Sequence, residues 1–234
     1  MALPKLETPT YELQLPSTGE KIKYRPFLVK EQKLLMVAQE SNDQTQVVNT
    51  VSNLVNSCTF NKVNATTSPV FDVEYLFLQI RGKSVGETVE VNITCPDDEK
   101  TRVPVKLNLS DIFVQVTDEH TNVIELTDSI KIHLRYPLLN DLGGVEKMSE
   151  TETVFKLLNT CIDEIHSGDT VYHRADMSDK ELTEFIDQLT TSQFEKVMVF
   201  FNTMPKLRHP ITVTNPKTKK KSEVILEGLQ SFLE

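Results

Sequence analysis

The sequence predicts an α+β fold, a helical body carrying several antiparallel β-hairpins. Three observations predict it. Apolar and polar residues alternate in short stretches on either side of Pro- or Gly-bearing turns. Apolar residues recur at helical spacing from Leu28 to Ile80, and again from Val154 to Phe201.

The first hairpin is Tyr11-Glu12-Leu13-Gln14-Leu15 and Lys21-Ile22-Lys23-Tyr24 around Pro16-Ser17-Thr18-Gly19. At Arg25-Pro26-Phe27 the period changes, because proline cannot donate to a ladder and holds the preceding residue extended. In the helix that follows, Leu28, Gln32, Leu35 and Gln39 share one face, and Val29, Leu34, Met36 and Val37 make a broader apolar one. Asn42 or Asp43 caps a second helix, whose Val47, Val48, Val51, Leu54, Val55 and Cys58 form a core stripe with Cys58 its last buried residue. Thr66-Thr67-Ser68-Pro69 starts a third helix with Pro at its first position. From Phe71 to Ile80 that helix is apolar on nearly every side, so it is buried centrally or covered by a partner. Gly82 is expected to close it.

Between Glu87 and Tyr136 the period is two. Val89, Val91 and Ile93 pair with Val103, Val105 and Leu107 in a second hairpin across Cys95-Pro96-Asp97-Asp98-Glu99-Lys100. Further strands are expected at Ile112–Val116, Val123–Leu126 and Ile130–Tyr136, the last ended by Pro137. Leu138–Lys147, with Gly143-Gly144, is the best boundary. The expected division is 1–137, a hinge at 138–148, and a helical part with a C-terminal hairpin at 149–234; one continuous domain is the alternative. Ser149-x-x-Glu152, Ser178-x-x-Glu181 and Ser192-x-x-Glu195 read as three capping boxes. Their helices carry Val154, Leu157, Leu158, Cys161 and Ile165, then Leu182, Phe185, Ile186 and Leu189, then Phe194 to Phe201. Ile211–Thr214 and Val224–Leu226 form a last hairpin around Asn215-Pro216 and the lysines 217 and 219–221, and Leu226–Leu233 a final helical turn.

Composition narrows function. The 234 residues, 38% hydrophobic and 25% charged, suffice for a core, and a net charge of −9 disfavours nucleic acid and anionic membrane. Neither a signal peptide nor a membrane span is read, and three unpaired cysteines point to a reduced, intracellular setting. No catalytic pattern stands out. Gly82-Lys83-Ser84 lacks the earlier glycine of a phosphate loop, since Phe77 occupies that position. His120, His133, His166, His173 and His209 show no metal-binding spacing. Asp163-Glu164 with His166, and Asp176 with Asp179, lack a nucleophile beside them. The lysine run reads as a solvated loop or a dock for an acidic protein partner. The Phe194–Phe201 face reads as core, with partner burial as the alternative.

Three stretches carry a resemblance: Glu12–Gly19 running into Tyr24-Arg25-Pro26-Phe27-Leu28-Val29-Lys30-Glu31-Gln32-Lys33, then Ile93-Thr94-Cys95-Pro96, and Leu226-Glu227-Gly228-Leu229-Gln230-Ser231-Phe232. Together they resemble the baseplate proteins of T4-type contractile-tailed phages, in particular the hub subunit or hub-assembly group. The resemblance implies a non-enzymatic, cofactor-free protein that contacts other baseplate hub or hub-assembly proteins. It implies work in the infected host's cytoplasm during assembly, with the virion tail baseplate as a further location. A transient assembly chaperone and a permanent structural virion subunit are both compatible with it; an undetected enzyme is the remote alternative. Candidate interaction residues are Tyr24, Arg25, Pro26, Phe27, Lys30, Glu31, Lys33, Leu226, Gly228, Leu229 and Phe232. Among them Tyr24 and Phe27 are expected to brace the strand-to-helix corner, and Arg25 and Lys30 to make contacts. Some relatives have hairpins resembling zinc knuckles, with C-P-x-C in the first and paired cysteines in the last. Here Asp98 stands at the second ligand position of the first, and the last has no cysteine. Four ligands are needed, so no zinc is expected at these hairpins.

Overall fold

A computed structural model describes residues 6–41, 43–143 and 148–232. Along the chain run β1 (Tyr11–Gln14), β2 (Lys21–Tyr24), α1 (Val29–Glu40), α2 (Gln44–Cys58), α3 (Val70–Val85), β3 (Thr88–Thr94), β4 (Arg102–Asn108) and β5 (Phe113–Gln115). Then come β6 (Val123–Glu125), β7 (Ile130–Leu134), α4 (Glu150–Cys161), β8 (Ile162–Ser167), β9 (Thr170–His173), α5 (Asp179–Ile186), α6 (Thr191–Thr203), β10 (Lys206–Thr214) and β11 (Lys221–Glu227). The fold is α+β, with every strand in a small antiparallel sheet.

The chain divides into two compact units: Met1–Gln115 with Lys206–Glu234, and Val116–Pro205. In the first, α3 is the central helix. Its Phe71, Val73, Leu76, Phe77, Leu78 and Ile80 are all buried, which accounts for a segment apolar on nearly every side. Leu78 shares one core with Val89, Val91 and Ile93 of β3, Leu107 of β4, Ile211 and Val213 of β10, Leu226 of β11 and the C-terminal Phe232. The pairing Val89↔Leu107, Val91↔Val105, Ile93↔Val103 puts Val89, Val91, Ile93 and Leu107, with the half-buried Val105, on that core. β10 pairs with both β11 and β5.

The second unit is a sheet in the order β6-β7-β8-β9, covered by helices. Ile124, Ile132, Leu134 and Ile165 from the sheet pack with Leu158, Leu182, Ile186, Val197 and Phe200 from α4, α5 and α6. The Leu138–Lys147 segment begins inside this unit as a short 3-10 turn, Leu139–Leu142; residues 144–147, including Gly144, lie outside the described residues.

Several local expectations need correction. Gly82 does not close α3. It lies inside the helix, where Leu109 packs over it, and the helix ends at Gly86, whose φ of 116° breaks the αR run. Pro69 is the residue before α3 rather than its first residue. The last long helix is capped by Thr190 with Gln193, two residues before the Ser192/Glu195 pair: Thr190 Oγ1 accepts from Gln193 N, and Gln193 Oε1 accepts from Thr190 N. The boxes at Ser149/Glu152 and Ser178/Glu181 form as expected. Asp43 caps α2, and Asn42 lies outside the described residues. Ile165 is not helical. After Cys161 the chain turns into β8 and β9 around Ser167-Gly168-Asp169, with Gly168 at φ 57°, a hairpin the helical spacing concealed. The closing segment continues β11 to Glu227 before a 3-10 turn at Leu229–Phe232.

Candidate functional site

The strand-to-helix corner is built on Arg25. Its Nη2 donates to Glu31 Oε1 at 2.8 Å and to Ser57 Oγ at 2.9 Å, and its Nη1 to Pro26 O at 2.9 Å and Glu31 Oε2 at 3.3 Å. Glu31 Oε2 also accepts from Leu28 N at 2.6 Å, closing an orphan donor at the start of α1. Arg25 N donates to Cys58 O at 3.0 Å, so the end of α2 is tied to the same corner. Burial pushes the Glu31 carboxyl up, but the Arg25 and Leu28 hydrogen bonds and the guanidinium charge outweigh it, leaving the pKa lowered. The hydrogen bond that Arg25 donates to Glu31 correspondingly raises the Arg25 pKa.

The same construction recurs in the second unit. Arg135 Nη1 donates to Tyr136 O at 3.1 Å and to Asp141 Oδ2 at 2.7 Å, Leu138 N donates to Asp141 Oδ2 at 2.8 Å, and Arg135 N donates to Cys161 O at 2.8 Å. Both corners therefore follow Arg-x-x-Leu-x-x-acid after a hairpin, and both bind the carbonyl of a cysteine that ends a helix. Burial pushes the Cys58 thiol up to about 11 and the Cys161 thiol up to about 12, so both are inert packing groups.

Most of the candidate residues point inward. Tyr24 and Phe27 are buried, and Phe27 N donates to Ser84 Oγ of α3 at 2.9 Å. Leu226 and Phe232 are buried in the first unit's core. Gly228 sits at φ 73° and donates its N–H to Leu207 O, and the Leu229 side chain lies outside the described residues. Pro26 is half-buried, and Arg25 and Glu31 are locked into their pair. Lys30 and Lys33 are the exposed members of the set.

Beside those lysines lies a feature the sequence placed in the apolar face of α1. Leu35 and Ala38 are buried, whereas Val29 is 80% exposed, Leu34 62%, Met36 53% and Val37 49%. Val29, Lys33, Met36 and Val37 fall on the side of α1 opposite Leu35 and Ala38, by the 3.6-residue period. Leu34 and Lys30 instead face a cavity of about 350 Å³, lined also by Glu31, Thr50, Asn53, Leu54 and Ser57 of α1 and α2.

Three hairpins of the first unit share one turn. In each, a residue before a proline accepts from the N–H four positions on and donates to the loop's closing carbonyl: Leu15 with Gly19 and Glu20, Cys95 with Glu99 and Thr101, Asn215 with Lys219 and Lys220. Gly19, Glu99 and Lys219 all have positive φ, at 70°, 54° and 63°. The second and last tips meet. Asn215 Nδ2 donates to both oxygens of Asp97, at 3.0 and 3.2 Å, and Thr218 Oγ1 donates to the same carboxylate. Asn215 Oδ1 accepts from Lys217 N at 2.9 Å. Asp98 accepts from Thr101 and Lys100, which hold its carboxyl far below the usual range. Cys95 is the one thiol at this junction, and Asn215 and Thr218 spend their side chains on Asp97, so the donors do not fit a tetrahedral zinc site. A carboxylate–amide–hydroxyl bridge joins the tips instead.

Gly82-Lys83-Ser84 forms the last turns of α3. Ser84 Oγ donates to Ile80 O at 2.6 Å, so no phosphate loop exists there. Among the described residues no helix is long and apolar enough to cross a membrane.

The family model described as T4 bacteriophage base plate protein matches residues 8–234. No curated protein and no solved structure matches the chain.

Proposed function

The chain belongs to the T4 bacteriophage base plate protein family, and from that premise we propose that it is a component or assembly factor of the baseplate hub, acting by protein–protein contact through the outer face of α1. The observation that supports this reading is the exposed row Val29, Met36 and Val37 around Lys33, with the exposed Leu34 and Lys30 at its edge, turned toward α2. An apolar strip that the first unit leaves in water, edged by two ammonium groups, suits a partner surface of apolar residues flanked by carboxylates. Arg25 and Glu31 serve this reading indirectly, by fixing the angle at which α1 leaves β2. Its setting is the infected cell during assembly, and its partners are hub proteins.

The distinction between a transient chaperone and a permanent subunit is tested by mass spectrometry of purified phage particles. A subunit is recovered at a fixed copy number per particle. A chaperone is found in assembling cells and not in particles.

A further inference from the structure

The sheet of the second unit gathers three imidazoles around one carboxylate. Glu164 of β8 lies directly across from His133 of β7 and from His173 of β9. His166, two residues along β8, projects to the same side. His166 Nε2 is 2.7 Å from Glu164 Oε2, His173 Nδ1 is 3.0 Å from Glu164 Oε1, and His133 Nδ1 is 4.0 Å from Glu164 Oε2. The His133 and His166 rings stack nearly parallel, 4.2 Å between centroids. The opposite side of these strands carries Ile132 and Ile165 of the core, so the strands are pinned and this face is set by register rather than by loop conformation.

We propose that His133, Glu164 and His166, with His173 as a fourth donor, form a binding site for one divalent transition-metal cation of the Zn2+ class. One ligand atom from each of His133, Glu164 and His166 lies within 4.8 Å of the others, and all three side chains are half-buried. Bonds of ~2.1 Å in a tetrahedral site separate ligand atoms by roughly 3.4 Å, so closure needs each to move by about an ångström or less. Side-chain rotation on an open sheet face supplies that. A set rich in imidazole nitrogen favours zinc, nickel or copper over magnesium or calcium, which prefer oxygen. The cation takes the place of the hydrogen bond between His166 Nε2 and Glu164 Oε2. Lys131, across from His166, is the nearby charge that opposes a cation, and its ammonium is neutralised by Glu125 at 2.6 Å. A bound cation joins β7, β8 and β9, fastening β9, which pairs with β8 alone.

The test is titration calorimetry on the untagged full-length chain, stripped with EDTA, using ZnCl2 and, separately, MgCl2. The expected result is saturable binding of one Zn2+ per chain and none of Mg2+. Glu164→Gln and His166→Gln weaken Zn2+ binding roughly tenfold or more, while His209→Gln and Cys95→Ser leave it unchanged. Far-UV circular dichroism checks that each variant is folded, and His173→Gln, on the exposed edge strand, replaces any that is not. Absence of saturable Zn2+ binding overturns the proposal. So does undiminished binding in the Glu164 and His166 variants, and so does loss on Cys95→Ser alone, which would place the metal at the hairpin tips.

Discussion

Arg25 and Glu31 form a two-pronged guanidinium–carboxylate pair in which both side chains are almost fully buried. Breaking such a pair leaves one buried charge uncompensated, which costs more than the pair contributes. Arg25→Ala is therefore expected to destabilise the protein by about 3 kcal/mol, measured by urea unfolding. Arg135→Ala, whose guanidinium is more exposed, is expected to cost less. Equal losses at the two sites would contradict the burial argument.

The bridge between the hairpin tips gives a second expectation. Asn215 is buried, and its amide serves Asp97 while its carbonyl serves the Lys217 N–H. Asn215→Ala is expected to lower stability by about 1–2 kcal/mol. Asn215→Asp is expected to be worse, because it sets a second carboxylate against Asp97. Thermal melts of both variants at neutral pH decide the order.

Gly228 gives a third. At φ 73° it holds the chain between β11 and the turn that delivers Phe232 to the core. A Cβ there meets Glu74 Oε1 at 3.4 Å and strains the backbone. Gly228→Ala is expected to cost about 1 kcal/mol, with an intact first-unit fold by circular dichroism.

A fourth concerns pH. His120 Nδ1 is 2.9 Å from Thr203 Oγ1, whose own hydrogen goes to Val199 O, so Nδ1 carries the proton. Nε2 is buried with no hydrogen-bond partner among the described residues, and the ring lies against Tyr136 and Phe200. Burial lowers the His120 pKa below its ordinary 6.5. The unfolded chain thus takes up a proton that the folded chain resists, so stability is full above about pH 6.5 and falls as pH drops through that value. His120→Gln is expected to flatten this part of the stability profile, measured by unfolding between pH 7.5 and 5.

The alternating strands were legible because each shows one face to a core: Val89, Val91 and Ile93 announce themselves by period alone. The β8–β9 hairpin was not, because Ile162 and Ile165 continue the helical spacing of Leu158 and Cys161, and only Ser167-Gly168-Asp169 marks the turn. The helical period of α1 was legible, but not which apolar face is covered. Glu31, a charge, turns inward to meet Arg25, while Val29 and Met36 turn outward. That inversion depends on a partner six residues away and on Ser57, thirty-two residues from Arg25, which no local pattern carries. Likewise Glu164 and His166 were visible as neighbours, but His133 and His173 join them only through strand register.

The contact surface proposed for this protein is the outer face of α1. Met36→Asp with Val37→Asp puts charge on that face and touches neither Leu35, Ala38 nor the Arg25 corner. The direct measurement is co-sedimentation of the chain with baseplate assembly intermediates from infected cells, alongside a thermal melt of the purified protein. The account predicts that the double variant melts like the wild type and no longer sediments with the intermediates. A variant that melts normally and still co-sediments as the wild type does would contradict it.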